Sequence, residues 1–269
     1  MKPIPIIHVD AFTDRIFGGN PAAVCITNTS LPEILMQQIA AEMNLSETAF
    51  VVNKGDTFHL RWFTPVAEVE LCGHATLATA HVLWEKEVLN TDAQAVFDTL
   101  SGKLTADYKD SFIVLDFPAK PVKKANLPGI TQIFGDAKVT HVAKSEYDYL
   151  IEISSEAELL KLTPDFSQMA KTSARGFIVT AQPDSNQAYD YISRFFAPAC
   201  GINEDPVTGS AHCSLAPYWA AKLGKTQLRG YQASARGGYV GTDLHGQRVK
   251  LKGKAVTVMQ AEMVLSTIS

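Results

Sequence analysis

Two glycines placed where apolar helices begin, each followed by a polar side chain, are the part of this chain best suited to chemistry. Gly73 precedes His74, and Gly209 precedes Ser210. A helix start presents free backbone N–H groups and the positive end of the helix dipole, so two such starts make a cradle for a carboxylate. The dipole alone supplies about 0.3–1 kcal/mol at an exposed end, so the N–H hydrogen bonds would do most of the holding. Each glycine taken singly also fits a tight turn or a close packing contact. The same dipole is expected to lower the pKa of His74 and favour neutral imidazole, a proton-relay group rather than a fixed charge. Ahead of the second helix, the stretch NEDPVTGS at 203–210 gathers polar groups, Asp205 among them, at the mouth of an apolar element. Asp before Pro also fits a plain turn or cap. Glu47, in LSETAF, sits between a helical pattern and an apolar strand, and by position alone it reads as a solvated turn carboxylate.

His81, seven residues beyond His74, reads as a core histidine. No HExxH or comparable spacing appears, so no metal is expected. Gly18-Gly19-Asn20-Pro21 and Gly237-Gly238 mark loops, and neither has the spacing of a phosphate-binding or dinucleotide fingerprint.

The elements that must position these groups repeat. RWFTPVAEVELCGHATLATAHVLW at 61–84 and RFFAPACGINEDPVTGSAHCSLAPYW at 194–219 share an order: Arg, aromatic, Phe, any residue, Pro, a loop, Gly, and an apolar run ending on Trp. The copies lie about half of the 269-residue chain apart, a period that means two similar domains rather than a solenoid. Neither 71–84 nor 206–221 contains Asp, Glu, Lys or Arg. A helix without a charged face is buried all round, and both runs are shorter than the ~20 residues of a membrane span. Around them, short runs rich in β-branched and aromatic residues read as strands, mostly antiparallel: 4–9, 22–26, 49–52, 58–63, 112–117, 139–142, 150–153, 176–180, 189–196, 239–240 and 255–265. Residues 32–43, with Leu35, Ile39 and Met43, read as a surface helix, and Pro217 is expected to kink or shorten the second central helix. The expected fold is α+β: two pseudo-symmetric, barrel-like halves, each a curled sheet around a central helix. The first covers 1–120 with its helix at 73–85. The second covers 121–269 with its helix at 209–222, the last strand joining either half. Residues 119–135 are the linker candidate.

Composition narrows the function. Hydrophobic residues make up 46% and charged residues 19%, and the net charge is −4 with no basic cluster. Nucleic acid and anionic membrane are therefore poor partners. Four cysteines show no paired spacing, and no signal peptide is read at the N-terminus, so a cytoplasmic protein with reduced thiols is expected.

Several motifs taken together, VDAFTDRIFGGNPAAV, NLSETAFV at 44–51, FTPVAEVELCGHATLA at 63–78, FAPACGINEDPVTGSAH at 196–212 and ARGGYVG at 235–241, resemble the PhzF family of phenazine-biosynthesis-like isomerases. They span nearly the whole chain in order. The resemblance implies the diaminopimelate epimerase-like fold, a homodimer and cofactor-independent acid/base isomerisation of a small carboxylate-bearing, cyclic metabolite. It implies Glu47 as the proton-moving group, with His74 and Asp205 completing the catalytic set. Asn20, Gly73, Gly209, Ser210 and Gly238 are then substrate-binding. Related racemases use two thiols beside the duplicated helices. Cys72 matches one of them, while Pro206-Val207-Thr208 stands where the other would be. A thiol-dependent racemase or epimerase and a catalytically silent binding protein are the alternative readings.

Overall fold

A computed structural model of the chain describes residues 3–265. The chain forms two compact units, the first comprising 1–116 and 252–269 and the second 117–251. The elements in chain order are β1 (Ile4–Ala11), β2 (Asn20–Thr27), α1 (Glu33–Met43), β3 (Glu47–Asn53), β4 (Phe58–Phe63), β5 (Glu68–Val69), α2 (Gly73–Glu85), β6 (Ala95–Thr99), β7 (Gly102–Lys109) and β8 (Phe112–Pro118). There follow β9 (Lys123–Lys124), α3 (Ile130–Phe134), β10 (Val139–Lys144), β11 (Asp148–Ile153), α4 (Glu156–Lys161), α5 (Phe166–Ala170), β12 (Gly176–Ala181), β13 (Tyr191–Ala197) and β14 (Ile202–Asp205). The chain ends with α6 (Gly209–Leu223), β15 (Gln227–Gln232), β16 (Gly238–His245), β17 (Arg248–Gly253) and β18 (Ala255–Met263).

Strand pairing repeats from one unit to the other. In the first, β1 and β2 are antiparallel, β2 and β3 parallel, β3 and β4 antiparallel, and β4 takes β5 antiparallel and β6 parallel. In the second, β10 to β15 repeat this sequence of pairings step for step. The duplication read from 61–84 and 194–219 is thus a duplication of topology. Its two arginines are clamps: Arg61 holds Glu68 of β5 through Nε and Nη2, both at 2.6 Å. Arg194 holds Glu204 of β14 in the same fork, at 2.7 and 2.9 Å. Bidentate Arg–carboxylate pairing fixes direction as well as distance.

Each sheet is buried on both faces, which explains runs such as AAVCI and AFVV that do not alternate. In the first unit, Ile6, Ala23, Cys25, Phe50 and Phe63 form a cluster with Met36 and Ile39 of α1. The central helix α2 packs against β1, β2 and β3, with Ala75, Ala78 and Ala80 wholly buried. In the second, Ala211, Leu215 and Trp219 of α6 join Leu150, Ile178 and Tyr191, while α3, α4 and α5 cover the other face over Ile151, Phe177 and Phe196.

Several expectations change. The described pairings are mixed, with parallel steps at β2–β3, β4–β6, β11–β12 and β13–β15, and the sheet is not closed. β18 pairs with β1 from Ile4–Met263 to Ala11–Ala255, so the last strand, left open between the halves, joins the first unit. The stretch 119–135 is no free linker, because it forms β9 and α3 and buries Leu127, Ile133 and Phe134. Pro217 neither stops nor shortens its helix, which runs on to Leu223 and is closed by Gly224 in the left-handed conformation.

Candidate active site

The first unit brings Asn20, Glu47, Gly73 and His74 together. Asn20 opens β2 and Glu47 opens β3; these strands are parallel, with Ala22 opposite Glu47, so both side chains stand at one end of the pair. Gly73 and His74 start α2, whose preceding residue Cys72 is extended at φ −141°. Gly19 keeps Asn20 in place: it has φ +60°, and a Cβ there would lie 2.1 Å from the Ala11 carbonyl.

The side chains form a continuous polar chain. Ser46 Oγ donates to Asn20 Oδ1 at 3.0 Å, and Asn20 Nδ2 lies 3.2 Å from His74 Nδ1. On the other side of the ring, His74 Nε2 is 3.1 Å from Glu47 Oε2. These last two atoms are buried, and the contact is an ion-pair approach off the line of a straight hydrogen bond. An orphaned donor and acceptor under cover are costly unless something else engages them, which is what a substrate pocket requires.

The electrostatics correct the expectation for His74. Burial opposes its charge, but the Cys72 and Glu47 groups outweigh burial and hold its pKa well above the usual value. Burial, followed by the neighbouring Glu47 charge, pushes the Cys72 thiol up to about 11, so it is a neutral thiol near pH 7. The charge that raises His74 is therefore that of Glu47. A carboxylate in contact shifts a buried pKa by about 1–3 units, and the dipole of a helix end by a fraction of that.

Cys72 Sγ lies 3.5 Å from His74 Nδ1. One donor atom each from Glu47, Cys72 and His74 falls within 4.8 Å of the others, a set of zinc-like types. However, the thiol faces Nδ1 and the carboxylate faces Nε2, so one ion could not reach all three without turning the ring. His81 is a satisfied histidine, with Nε2 3.1 Å from Thr257 Oγ1, and burial lowers its pKa.

The second unit gathers Asp205, Gly209 and Ser210 at the start of α6. Asp205 ends β14 and accepts a short hydrogen bond from Thr208 Oγ1. Thr208 precedes α6 as Cys72 precedes α2, so the duplicated position carries a hydroxyl in place of a thiol. Gln232, wholly buried, accepts from Thr208 N at 2.9 Å and donates to the Asp205 carbonyl at 2.8 Å. Gly238 pairs with Gln232 in the β15–β16 register. Arg175 donates to Ser210 Oγ at 3.1 Å while its Nε holds Asp148 at 2.9 Å.

Sequence reasoning passed over Ser46, Arg175, Thr208 and Gln232. Ser46 and Thr208 lay inside the quoted motifs. Arg175 and Gln232 carry no local signal, because their roles come from strands remote in sequence.

The phenazine biosynthesis-like family model, PhzC-PhzF, matches residues 9–261. The chain is 50% identical to an uncharacterized isomerase of Halalkalibacterium halodurans, over 98% of this chain and 100% of the relative. The crystal structure of a PhzF family phenazine biosynthesis protein from Enterococcus faecalis superposes with a TM-score of 0.93 at 41% identity, covering 98% of this chain and all of that one. A hydroxyproline epimerase from Agrobacterium vitis shares the fold alone, with a TM-score of 0.60 at 10% identity, covering 97% of this chain and 92% of the other. The ordered motifs, the duplicated topology and these likenesses agree: the chain belongs to the PhzF-type, phenazine biosynthesis-like family of isomerases.

Proposed function

We propose that the protein is a cofactor-independent isomerase that moves a proton between carbons of a small carboxylate-bearing, cyclic and unsaturated metabolite. Glu47 takes the proton from one carbon as a carboxylate and returns it to another as a carboxylic acid. The observation that carries this reading is the buried Glu47–His74 contact, with Glu47 Oε2 and His74 Nε2 making no hydrogen bond among the described residues. A positioned acid/base gives about 10²–10⁴ in rate, so the carbanion-like charge must also be stabilised. The His74 ring beside Glu47 and the backbone N–H groups at the start of α2 supply donors for that charge. In the second unit, Asp205, Gly209 and Ser210 have the corresponding binding roles, and Gly238 supports them. Cys72 is not the base in this account, since a buried thiol with a pKa of about 11 offers little thiolate.

The reaction class is tested by incubating the protein in D2O with a panel of small unsaturated carboxylic acids and following C–H signals by proton NMR. Exchange or isomerisation of one acid without any added cofactor supports the reading. A strict requirement for an added cofactor, or isomerisation abolished in a folded Cys72→Ser variant, would count against it.

A further inference from the structure

Three groups face the His74 ring, Asn20 from β2, Glu47 from β3 and Cys72 from the residue before α2, and Ser46, from the turn before β3, stands behind Asn20. Their donor and acceptor types are unequal. Glu47 can only accept at Nε2 when ionised, whereas at Nδ1 an amide N–H and a thiol S–H both arrive as donors. A neutral ring satisfying all of them carries its proton on Nε2.

We infer that Ser46, acting through Asn20, is a positioning residue that sets the tautomer of His74. The Ser46 hydroxyl donates to Asn20 Oδ1, which turns Asn20 Nδ2 toward His74 Nδ1, leaving that nitrogen an acceptor and fixing the hydrogen on Nε2, facing Glu47. A hydroxyl can donate or accept, and an amide can turn over. When the ring takes a second proton on Nδ1, the relay reverses: Nδ1–H donates to Asn20 Oδ1, and Asn20 Nδ2 donates to Ser46 Oγ. The Ser46–Asn20–His74 contacts are kept in both states, while the Cys72 thiol loses its acceptor at Nδ1 when the ring is charged. No bond to carbon is made or broken by Ser46 or Asn20. This rests on the reading of Glu47 and His74 as the proton-handling pair.

The test needs no substrate. Long-range proton–nitrogen spectra of the ¹⁵N-labelled full chain are recorded through a pH titration, with His74 assigned by its disappearance in His74→Gln. On the neutral limb the wild-type ring should show an unprotonated, pyridine-like Nδ1 and a protonated Nε2. Ser46→Ala should move both nitrogens to intermediate shifts, the mark of mixed tautomers, and Asn20→Ala should do the same. Ser46→Thr, which keeps the hydroxyl, should restore the single tautomer, a rescue that a merely structural role would not give. The inference is overturned if the wild-type neutral ring carries hydrogen on Nδ1, if the ring stays doubly protonated at every pH the fold tolerates, or if the alanine variants keep one tautomer. Failure of the isomerase reading would show only in the D2O experiment and leave these spectra unchanged.

Discussion

Replacing Glu47 by Gln removes one charge 3.1 Å from His74 Nε2 while keeping the shape of the side chain. Burial and the helix start oppose a cation on that ring, while the Cys72 and Glu47 groups favour it. The start of α2 disfavours a cation by about 0.3–1 kcal/mol, under one pKa unit at 1.36 kcal/mol per unit. A carboxylate in contact favours the cation by about 1–3 units. The Cys72 and Glu47 groups together outweigh burial and the dipole, which is why the pKa of His74 is raised. Glu47→Gln should therefore lower it, read from the Cε1–H resonance in a proton–carbon NMR titration. Stability follows the same linkage. A histidine whose pKa is higher folded than unfolded contributes fully below its unfolded value of about 6.5, and the contribution fades as pH rises through the folded value. The wild type should thus exceed Glu47→Gln in urea unfolding most clearly below pH ~6.5, with the gap narrowing at higher pH. A wild-type pKa below the ordinary histidine value, or one unmoved by the substitution, would refute this reasoning.

Other consequences follow from the surroundings. Cys200 is exposed, while burial pushes the thiols of Cys25 and Cys213 up to about 12 and that of Cys72 to about 11. Mass spectrometry after brief iodoacetamide treatment should find Cys200 alkylated alone in the folded protein and all four in urea; rapid native labelling of Cys72 would contradict the assigned burial. Arg194→Met leaves Glu204 without its fork and takes a donor from the carbonyls of Leu159 and Leu162, the first of which keeps Leu162 N. It should cost about 3 kcal/mol by urea denaturation, part of it recovered on adding Glu204→Leu. Gly19→Ala forces a Cβ against the Ala11 carbonyl in a left-handed residue, and should cost about 1–3 kcal/mol while shifting the His74 ring signals through Asn20.

How much was legible follows from where the signal is local. The repeat at 61–84 and 194–219 told of two similar units, and the charge-free runs told of buried central helices; α2 begins at Gly73 and α6 at Gly209, as their sequence pattern requires. The β6–β7 hairpin was missed because AVFDT and GKLTADYK mix polar with apolar residues at a partly exposed sheet margin. The three short helices on the outer face of the second unit have five or six residues each, too few to show a period. At the site, Glu47 was picked out only through resemblance, because a carboxylate before an apolar strand has no local mark of burial. His74 was located by sequence but given the wrong direction of pKa shift. The dipole that lowers it belongs to its own helix and can be read locally, whereas the carboxylate that raises it comes from another strand.

The central claim is that Glu47 moves the proton. It is tested most directly by taking an acid that the wild type isomerises in D2O and repeating the NMR measurement with Glu47→Gln, after confirming by circular dichroism that the variant is folded. The account predicts one solvent deuteron at the new C–H position of the product with the wild type, and loss of both exchange and isomerisation with the variant. A folded Glu47→Gln protein that still exchanges at the wild-type rate would contradict it.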